Sequence, residues 1–267
     1  MSEPLLLVSE SDSILELVFN RASKLNAING EMYDALIAQT ERFATEPSLR
    51  VMLIRARGKY FSAGVDLNSE LGPDPQLASP AAFRQWYREG RGSLHPLLDR
   101  FEVIEKPIVV AHHGPCLGGA LEMSLSCDFR LAAHSARYGL PETAFGNIPG
   151  SGGTSRMARL VGPQWARWFI MANLQMDAAK AERIGLIHDV YPDDEFEARV
   201  RDFCLNLAKQ PAEAIGAAKL AIELCADLDR AQARNVERIV ASGLFFGDEF
   251  RSLFAALREK LGKRSPA

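Results

Sequence analysis

Over its first two hundred residues the chain alternates short apolar runs with amphipathic stretches, and after that the short runs stop. Residues 5–8 and Ile14–Phe19 read as strands, and residues 50–55 as a strand covered on both faces, because 51–54 are apolar without alternation. Between them, residues 30–44 set Met32, Leu36, Ile37 and Phe43 near helical spacing. The apolar run 107–111 leads through a turn into 118–126, read as a helix, and then into a strand over 128–132. Repeated strand–helix units predict an α/β layered domain with crossover helices. Periodicity alone does not separate a spiral from an open doubly wound sheet.

Residues 69–98 interrupt this rhythm. Pro73, Pro75 and Pro80 precede a helix-like stretch holding Phe83, Trp86 and Tyr87, which predicts a variable loop and a pocket wall. The three aromatic residues fit either a bulky acyl pocket or ordinary core. Past residue 195 the periodicity is helical throughout: Phe196, Val200, Phe203 and Leu207, then Ile215, Leu220, Ile222 and Leu224, then Phe250, Phe254 and Leu257. The expected organisation is a core over 1–195 and a helical appendage over 196–267.

A length of 267 residues with 47% hydrophobic content is enough for a continuous core. The formal net charge of −3 gives no broad attraction to nucleic acid or an anionic membrane, so a polyanionic ligand needs a local basic cluster. Cys116, Cys127, Cys204 and Cys225 show no C-x-x-C pair and no metal-type spacing with the five histidines, which predicts free thiols and no bound metal. The N-terminal residues lack signal- and transit-peptide character, and no segment reaches about 18 uninterrupted apolar residues. A cytoplasmic enzyme without a membrane span is the expectation.

Gly118-Gly119 opens the 118–126 helix, where early N–H groups lack intrahelical partners and sit at the positive end of the macrodipole. Such groups suit a developing negative charge; glycines there equally permit close helix–strand packing. Glu122, three residues on, leaves the helix from nearly the same face. Its neighbours Ala120, Leu121, Met123, Ser124, Leu125 and Ser126 are apolar or small, which argues for burial, and buried glutamates have a partner or a purpose. Glu142 follows Pro141 in a glycine-bearing loop and reads as a surface residue, a cap or a second acid. Ser62 is not in a G-x-S-x-G elbow and no histidine spacing suggests a triad, which excludes a serine hydrolase. At least one of His112 and His113 reads as structural. Residues 148–154 lack the lysine of a phosphate loop and fit a helix N-terminus lining a site.

Several segments together resemble the enoyl-CoA hydratase/isomerase (crotonase) family, in its order and near its spacing. They are Asn26-Ala27, Phe61-Ser62-Ala63-Gly64-Val65-Asp66-Leu67, Gly118-Gly119-Ala120-Leu121-Glu122, Cys127-Asp128, Pro141-Glu142, Ile148-Pro149-Gly150-Ser151-Gly152-Gly153-Thr154 and Ala181-Glu182-Arg183-Ile184-Gly185-Leu186-Ile187. The resemblance implies a crotonase-like spiral of ββα units with a C-terminal α-helical trimerisation region, assembled as a homotrimer or a dimer of trimers. It implies an acyl-CoA thioester substrate, coenzyme A entering as part of it and no separate cofactor. Glu122 and Glu142 are then the catalytic pair, and the Val65 and Gly119 N–H groups an oxyanion hole. Arg21, Lys24, Ala27, Ala63, Asp66 and Leu67 contact coenzyme A, and Trp86, Tyr87 and Gly150 line the acyl pocket. Arg21 and Lys24 read from charge alone are equally plain surface cations. Asn68 stands where the family often has a lysine beside the adenine.

Within the family, Gly150 occupies a place where a dienoyl isomerase is expected to carry an acid, and an enoyl isomerase usually lacks a glutamate at the position of Glu122. Hydration of a 2-enoyl-CoA is therefore the leading expectation. The alternatives are another reaction of the family (enoyl-CoA isomerisation, aromatic hydratase-lyase, carnitinyl-CoA type hydration, carbon–carbon hydrolysis) or a non-catalytic trimeric scaffold or RNA-binding homologue.

Overall fold

The computed structural model of the protein describes residues 3–68, 79–89 and 92–262. Part of the interruption expected over 69–98, including Pro73 and Pro75, lies outside the described residues. The chain opens with a hairpin of β1 (Leu6–Ser11) and β2 (Ile14–Phe19), whose turn residues Asp12 and Ser13 both take positive φ (54° and 62°), the pairing that matches strand twist in a two-residue hairpin. Next comes α1 (Gly30–Thr45), capped by the Asn29 side chain, which accepts the Met32 N–H. It buries Met32, Leu36, Thr40 and Phe43 on one face. Then follow β3 (Val51–Ala56), α2 (Pro80–Arg88), α3 (His95–Val103), β4 (Ile108–His112), the two-residue β5 (Cys116–Leu117) and α4 (Gly119–Leu125). The last part of this region holds β6 (Phe129–Ala133), β7 (Arg137–Gly139), a 3₁₀ turn over Pro141–Phe145, α5 (Gly153–Ile170), β8 (Met176–Asp177), α6 (Ala178–Arg183), β9 (Asp189–Tyr191) and α7 (Phe196–Ala208).

Six strands form one sheet in the order β1-β2-β3-β4-β6-β9, parallel except for β1. A second, smaller layer runs alongside it. There β5, β7 and β8 pair, and bridges Ile28↔Val65 and Ser62↔Cys116 continue the ladder towards the N-terminus. Each turn of chain gives a long strand to the first layer, a short segment to the second, and then a helix, which is the expected spiral of ββα units.

The central strands β3 and β4 of the large sheet are buried on both faces. Met52 and Ile54 join the core that includes Leu36, Phe43, Leu97 and Phe101, while Val51 and Leu53 join Val109, Leu131, Phe196, Val200 and Cys204. Period-two side-chain alternation in a strand covered on both sides is why residues 51–54 are apolar without a break. The helix α7 supplies the cover on the second face, so the break in the contact pattern falls between Ala208 and Lys209, thirteen residues beyond the boundary expected from the loss of strands.

The C-terminal unit is wholly helical among its described residues: α8 (Ala212–Ala226), α9 (Arg230–Leu244) and α10 (Asp248–Gly262). Glu249 in α10 accepts the Ala212 N–H at 2.7 Å and the Glu213 N–H at 3.0 Å, capping the start of α8 with a negative charge at its positive dipole end. Phe250 sits edge-on to Phe245 (4.8 Å between centroids) and stacked on Phe254 (5.4 Å). Ile222, Ile239, Phe245 and Phe246 are all exposed.

Candidate active site

Two backbone segments from different turns of the spiral abut at Gly64 and Gly118-Gly119. A Cβ on Gly64 would lie 2.9 Å from the Leu117 carbonyl oxygen and 3.2 Å from the Gly119 nitrogen, and one on Gly119 would lie 3.6 Å from the Val65 nitrogen. Gly64 and Gly118 also take φ of +103° and +53°, so both disfavour side chains by conformation, and Gly64 by space as well. In the Ile28↔Val65 bridge the Ile28 N–H donates to the Gly64 carbonyl and the Asp66 N–H to the Ile28 carbonyl, which turns the intervening Val65 N–H away from that pairing. Gly119 is the first residue of α4, where no helical carbonyl is in reach of its N–H. Among the described residues neither N–H has a partner, and the two lie side by side. Such a pair can donate to one oxygen.

Ser62, which has the residue type of a nucleophile, serves this geometry instead. Its hydroxyl donates to the Asn26 carbonyl at 2.7 Å and accepts the Gly64 N–H at 3.1 Å, tying the Val65 loop to the segment before α1. Buried Asn26 completes the knot: its Oδ1 accepts the Arg21 N–H at 2.8 Å, and its Nδ2 donates to the carbonyls of Arg57 (2.7 Å) and Tyr60 (2.9 Å).

Glu122 lies one turn into α4 and is 4% exposed. One of its oxygens, Oε1, accepts the N–H groups of Ser151 (2.7 Å) and Gly153 (2.9 Å) at the start of α5. Gly153 has no room for a side chain, since a Cβ would approach Glu122 Cγ to 2.6 Å. Removal from water pushes its pKa up to about 7; the nearby charge of Glu142 adds to this, while the two N–H groups and Arg156 pull the other way.

Glu142 is carried by the 3₁₀ turn, which Thr143 fastens to the end of α5 through a 2.7 Å hydrogen bond to the Ile170 carbonyl. Its Oε1 is 3.0 Å from where a Gly118 Cβ would stand, and its Oε2 is buried without a hydrogen-bond partner. Burial raises its pKa as well. A partnerless buried carboxyl oxygen is costly in a resting protein and useful beside a substrate that supplies or takes a proton.

Of the residues expected to meet coenzyme A, Arg21, Ala27 and Asp66 are joined directly. Arg21 Nη1 donates to Asp66 Oδ2 at 2.6 Å and to the Ala27 carbonyl at 2.9 Å, and this guanidinium holds the Asp66 carboxyl below its ordinary value, with Lys24 adding a smaller attraction. The Ala63 N–H donates to the Leu25 carbonyl at 2.9 Å in the same corner. Lys24 and Leu67 project outward, Leu67 being 79% exposed. Asn68 is exposed, and its N–H donates to Asp66 Oδ1.

The aromatic residues of α2 divide. Trp86 lies over Gly92, whereas the Tyr87 hydroxyl lies against Gly150. Neither side chain is fully buried.

His112 and His113 are both held in the scaffold. His112 is fully buried against Phe61 and Tyr138, with its Nδ1 3.2 Å from the Tyr138 hydroxyl, and burial brings its pKa down to about 3; His113 Nε2 bonds the Gly58 carbonyl at 2.7 Å. The four cysteines are free. Among the described residues no group of three His, Cys, Asp or Glu side chains is placed to hold a metal, and no helix is long and apolar enough to cross a membrane.

Sequence reasoning missed the two N–H groups that grip Glu122. The signal available was the glycine-rich segment 148–154, read as a helix start lining a site, but which acceptor it serves depends on where a distant turn of chain lies.

A family model for enoyl-CoA hydratase/isomerase matches residues 9–264. The 2,3-dehydroadipyl-CoA hydratase of Escherichia coli (strain K12) is 32% identical over 246 residues, which cover 91% of each chain. The crotonyl-CoA hydratase of Syntrophomonas wolfei is 31% identical over 252 residues, 91% of this chain and 90% of the relative. The crystal structure of enoyl-CoA hydratase from Bacillus anthracis superposes with a TM-score of 0.86 at 27% identity, covering 96% of both chains.

Proposed function

Because the chain belongs to the enoyl-CoA hydratase/isomerase family, we propose that it adds water across the 2,3 double bond of a 2-enoyl-CoA thioester to give the 3-hydroxyacyl-CoA. The observation that carries this reading is the carboxyl pair. One carboxyl is gripped on a single oxygen by two N–H groups, the other has a buried oxygen without a partner, and each is linked to the partnerless Val65 and Gly119 N–H groups, one through α4 and the other by its contact with Gly118.

In this reading Glu122 as carboxylate takes a proton from water, the water oxygen bonds to C3, and the electron pair of the double bond moves onto the thioester. The resulting enolate oxygen accepts from the Val65 and Gly119 N–H groups, each donor contributing on the order of 3 kcal/mol. Glu142 as carboxylic acid delivers a proton to C2. Water and proton reach different atoms, so two groups are needed. Burial makes both assignments workable. A base titrating near neutrality is half ionised at working pH, and a raised Glu142 holds its proton more readily. Arg21, Lys24, Ala27, Ala63, Asp66 and Leu67 make up the corner proposed to meet coenzyme A, and Trp86, Tyr87 and Gly150 the acyl side.

The test is loss of enoyl-thioester absorbance with a panel of crotonyl-, longer-chain and aromatic enoyl-CoA substrates. Hydration of at least one is expected, and kcat/KM should fall as the pH drops below about 7, where Glu122 becomes protonated. Inactivity on the whole panel would sink the hydratase reading while leaving the fold as described.

Assembly into homotrimers, alone or paired, is part of the same proposal, supported by the exposed Ile222, Ile239, Phe245 and Phe246 of the C-terminal unit. Truncation after Leu228, which removes α9 and α10, should expose an adhesive apolar surface and cause aggregation. A full-length chain that is monomeric by light scattering, with a soluble monomeric truncation, would refute the assembly.

A further inference from the structure

The two N–H groups that grip Glu122 Oε1 are fixed in different ways. The Gly153 N–H belongs to the peptide unit whose carbonyl, that of Gly152, accepts the Arg156 N–H at 2.9 Å and the Ser155 hydroxyl at 3.1 Å, so the first turn of α5 holds it. The Ser151 N–H lies before that helix and belongs to the Gly150–Ser151 peptide unit, which is trans. In a planar trans peptide the C=O and N–H point in opposite directions. On one side this N–H donates to Glu122 Oε1 at 2.7 Å, and on the other the Gly150 carbonyl accepts from His95 Nε2 at 2.8 Å. A carbonyl can only accept, so Nε2 carries a proton whether the ring is neutral or charged.

His95 is the first residue of α3, and Asp99 and Glu102 follow on the same face of that helix. Arg156 donates to Asp99 Oδ1 and Glu102 Oε2, each at 2.8 Å, and to the Ser151 carbonyl at 3.2 Å, while the Leu94 N–H donates to the Ser151 hydroxyl at 3.1 Å. Of these contacts only the His95 bond reaches the peptide unit that carries the Ser151 N–H.

We propose that His95 is a positioning residue for Glu122: through the Gly150–Ser151 peptide unit, its Nε2–H keeps the Ser151 N–H on Glu122 Oε1 and leaves the second carboxyl oxygen to water. The role rests on the reading of Glu122 as the base. Hydrogen bonds in series polarise one another, so the His95 bond also makes the Ser151 N–H a stronger donor. The charged and titratable groups facing Glu122 are Glu142 from the 3₁₀ turn, Arg156 from α5 and Tyr87 from α2; His95 itself faces Asp99, with Nδ1 3.9 Å from Oδ1. The Ser151 N–H favours the ionised form of Glu122, and loosening it therefore raises the pH at which Glu122 ionises.

His95→Leu removes the donor at a side chain that is 35% exposed, a change the fold should tolerate, and His95→Gln returns an amide N–H near the place of Nε2. Circular dichroism checks that both variants fold. Carbon-13 NMR of the glutamate carboxyls, with the Glu122 signal identified by its loss in Glu122→Gln, follows the titration without substrate. The Glu122 midpoint should rise by about half a pH unit in His95→Leu and stay near the wild-type value in His95→Gln. Turnover at pH 7 should fall about two- to tenfold in His95→Leu with KM nearly unchanged, the range for one net hydrogen bond. An unmoved midpoint in His95→Leu overturns the proposal, and so does a shift in His95→Gln as large as that in His95→Leu, which makes the packing of the ring the cause rather than its N–H. An effect confined to KM overturns it as well, since His95 is then a substrate contact. The titration decides about His95 even if the chain hydrates no enoyl thioester, an outcome that would overturn the functional reading alone.

Discussion

Glu122→Gln and Glu142→Gln should each lower turnover of an enoyl-CoA thioester by about 10²- to 10⁴-fold, with thioester binding largely kept, the range for losing a positioned base or acid. Glutamine at position 122 preserves the local geometry, because its amide oxygen can still accept the Ser151 and Gly153 N–H groups. Its stability should move the opposite way. In the folded chain Glu122 ionises at about 7 rather than 4.5, so folding favours the protonated form, and stability is lost as the pH rises through that window. Removing the charge should therefore stabilise the fold at pH 8 by up to about 3 kcal/mol and change little at pH 4. Urea unfolding of both chains at the two pH values checks the sign. A variant that is slower yet more stable marks a residue kept for chemistry rather than for packing. Near-normal turnover of Glu142→Gln beside an inactive Glu122→Gln would replace the two-carboxylate mechanism with a one-base isomerase.

Gly119→Pro should reduce turnover by about 10²- to 10³-fold, or roughly 3 to 4 kcal/mol, the effect of deleting one oxyanion donor. Proline fits the backbone there. Gly119 is the first residue of α4, where proline's fixed φ is favourable, and Gly118, with φ 53° and ψ −134°, already holds the mirror image of the extended conformation preferred before proline. Crowding is the competing effect, because any Cβ at this position meets Val65 Cγ2 at 2.7 Å and Leu94 Cδ1 at 3.2 Å. Gly119→Ala keeps the N–H but incurs the same collision. Val65→Ala removes Cγ2 and leaves the Val65 N–H in place, so in that background Gly119→Ala should recover most of its activity and Gly119→Pro should not. Circular dichroism and coenzyme A binding establish first that each variant folds. Wild-type turnover by folded Gly119→Pro would exclude Gly119 as a donor and move the proposed oxyanion site.

Much of this molecule is legible one residue at a time. The unbroken apolar run 51–54, the helical spacing of Met32, Leu36 and Phe43, and the apolar surroundings of Glu122 each describe an environment, and the structure supplies it: a strand covered on both faces, a helix with one buried face, a buried carboxyl. Side-chain chemistry reports burial directly, which is why most of the expected strands and helices fall within a residue or two of their places, whereas β1, whose outer half is exposed, runs three residues past its expected end to Ser11. The boundary after α7 was less legible, because an amphipathic helix covering a sheet and one in a separate unit carry the same periodicity. Arg21 shows the same limit for charge. Its type suits a phosphate, but only the fold reveals that it already answers Asp66.

The sequence by itself determined the layered α/β class, the helical C-terminal part, the glycine pair that opens α4 and, with the family resemblance, which glutamates to examine. Tertiary structure alone decided that segments 62–65, 118–122, 141–145 and 150–153, spread over some ninety residues, meet at one place. It also decided that Ser151 and Gly153 are the residues holding Glu122 and that Ser62 is a brace for the Val65 loop. The reason is physical. Every residue except proline has an N–H, so a donor is recognised by where it points and by what fails to accept from it, and a carboxyl's affinity for its proton depends on how much water and charge the rest of the chain leaves around it.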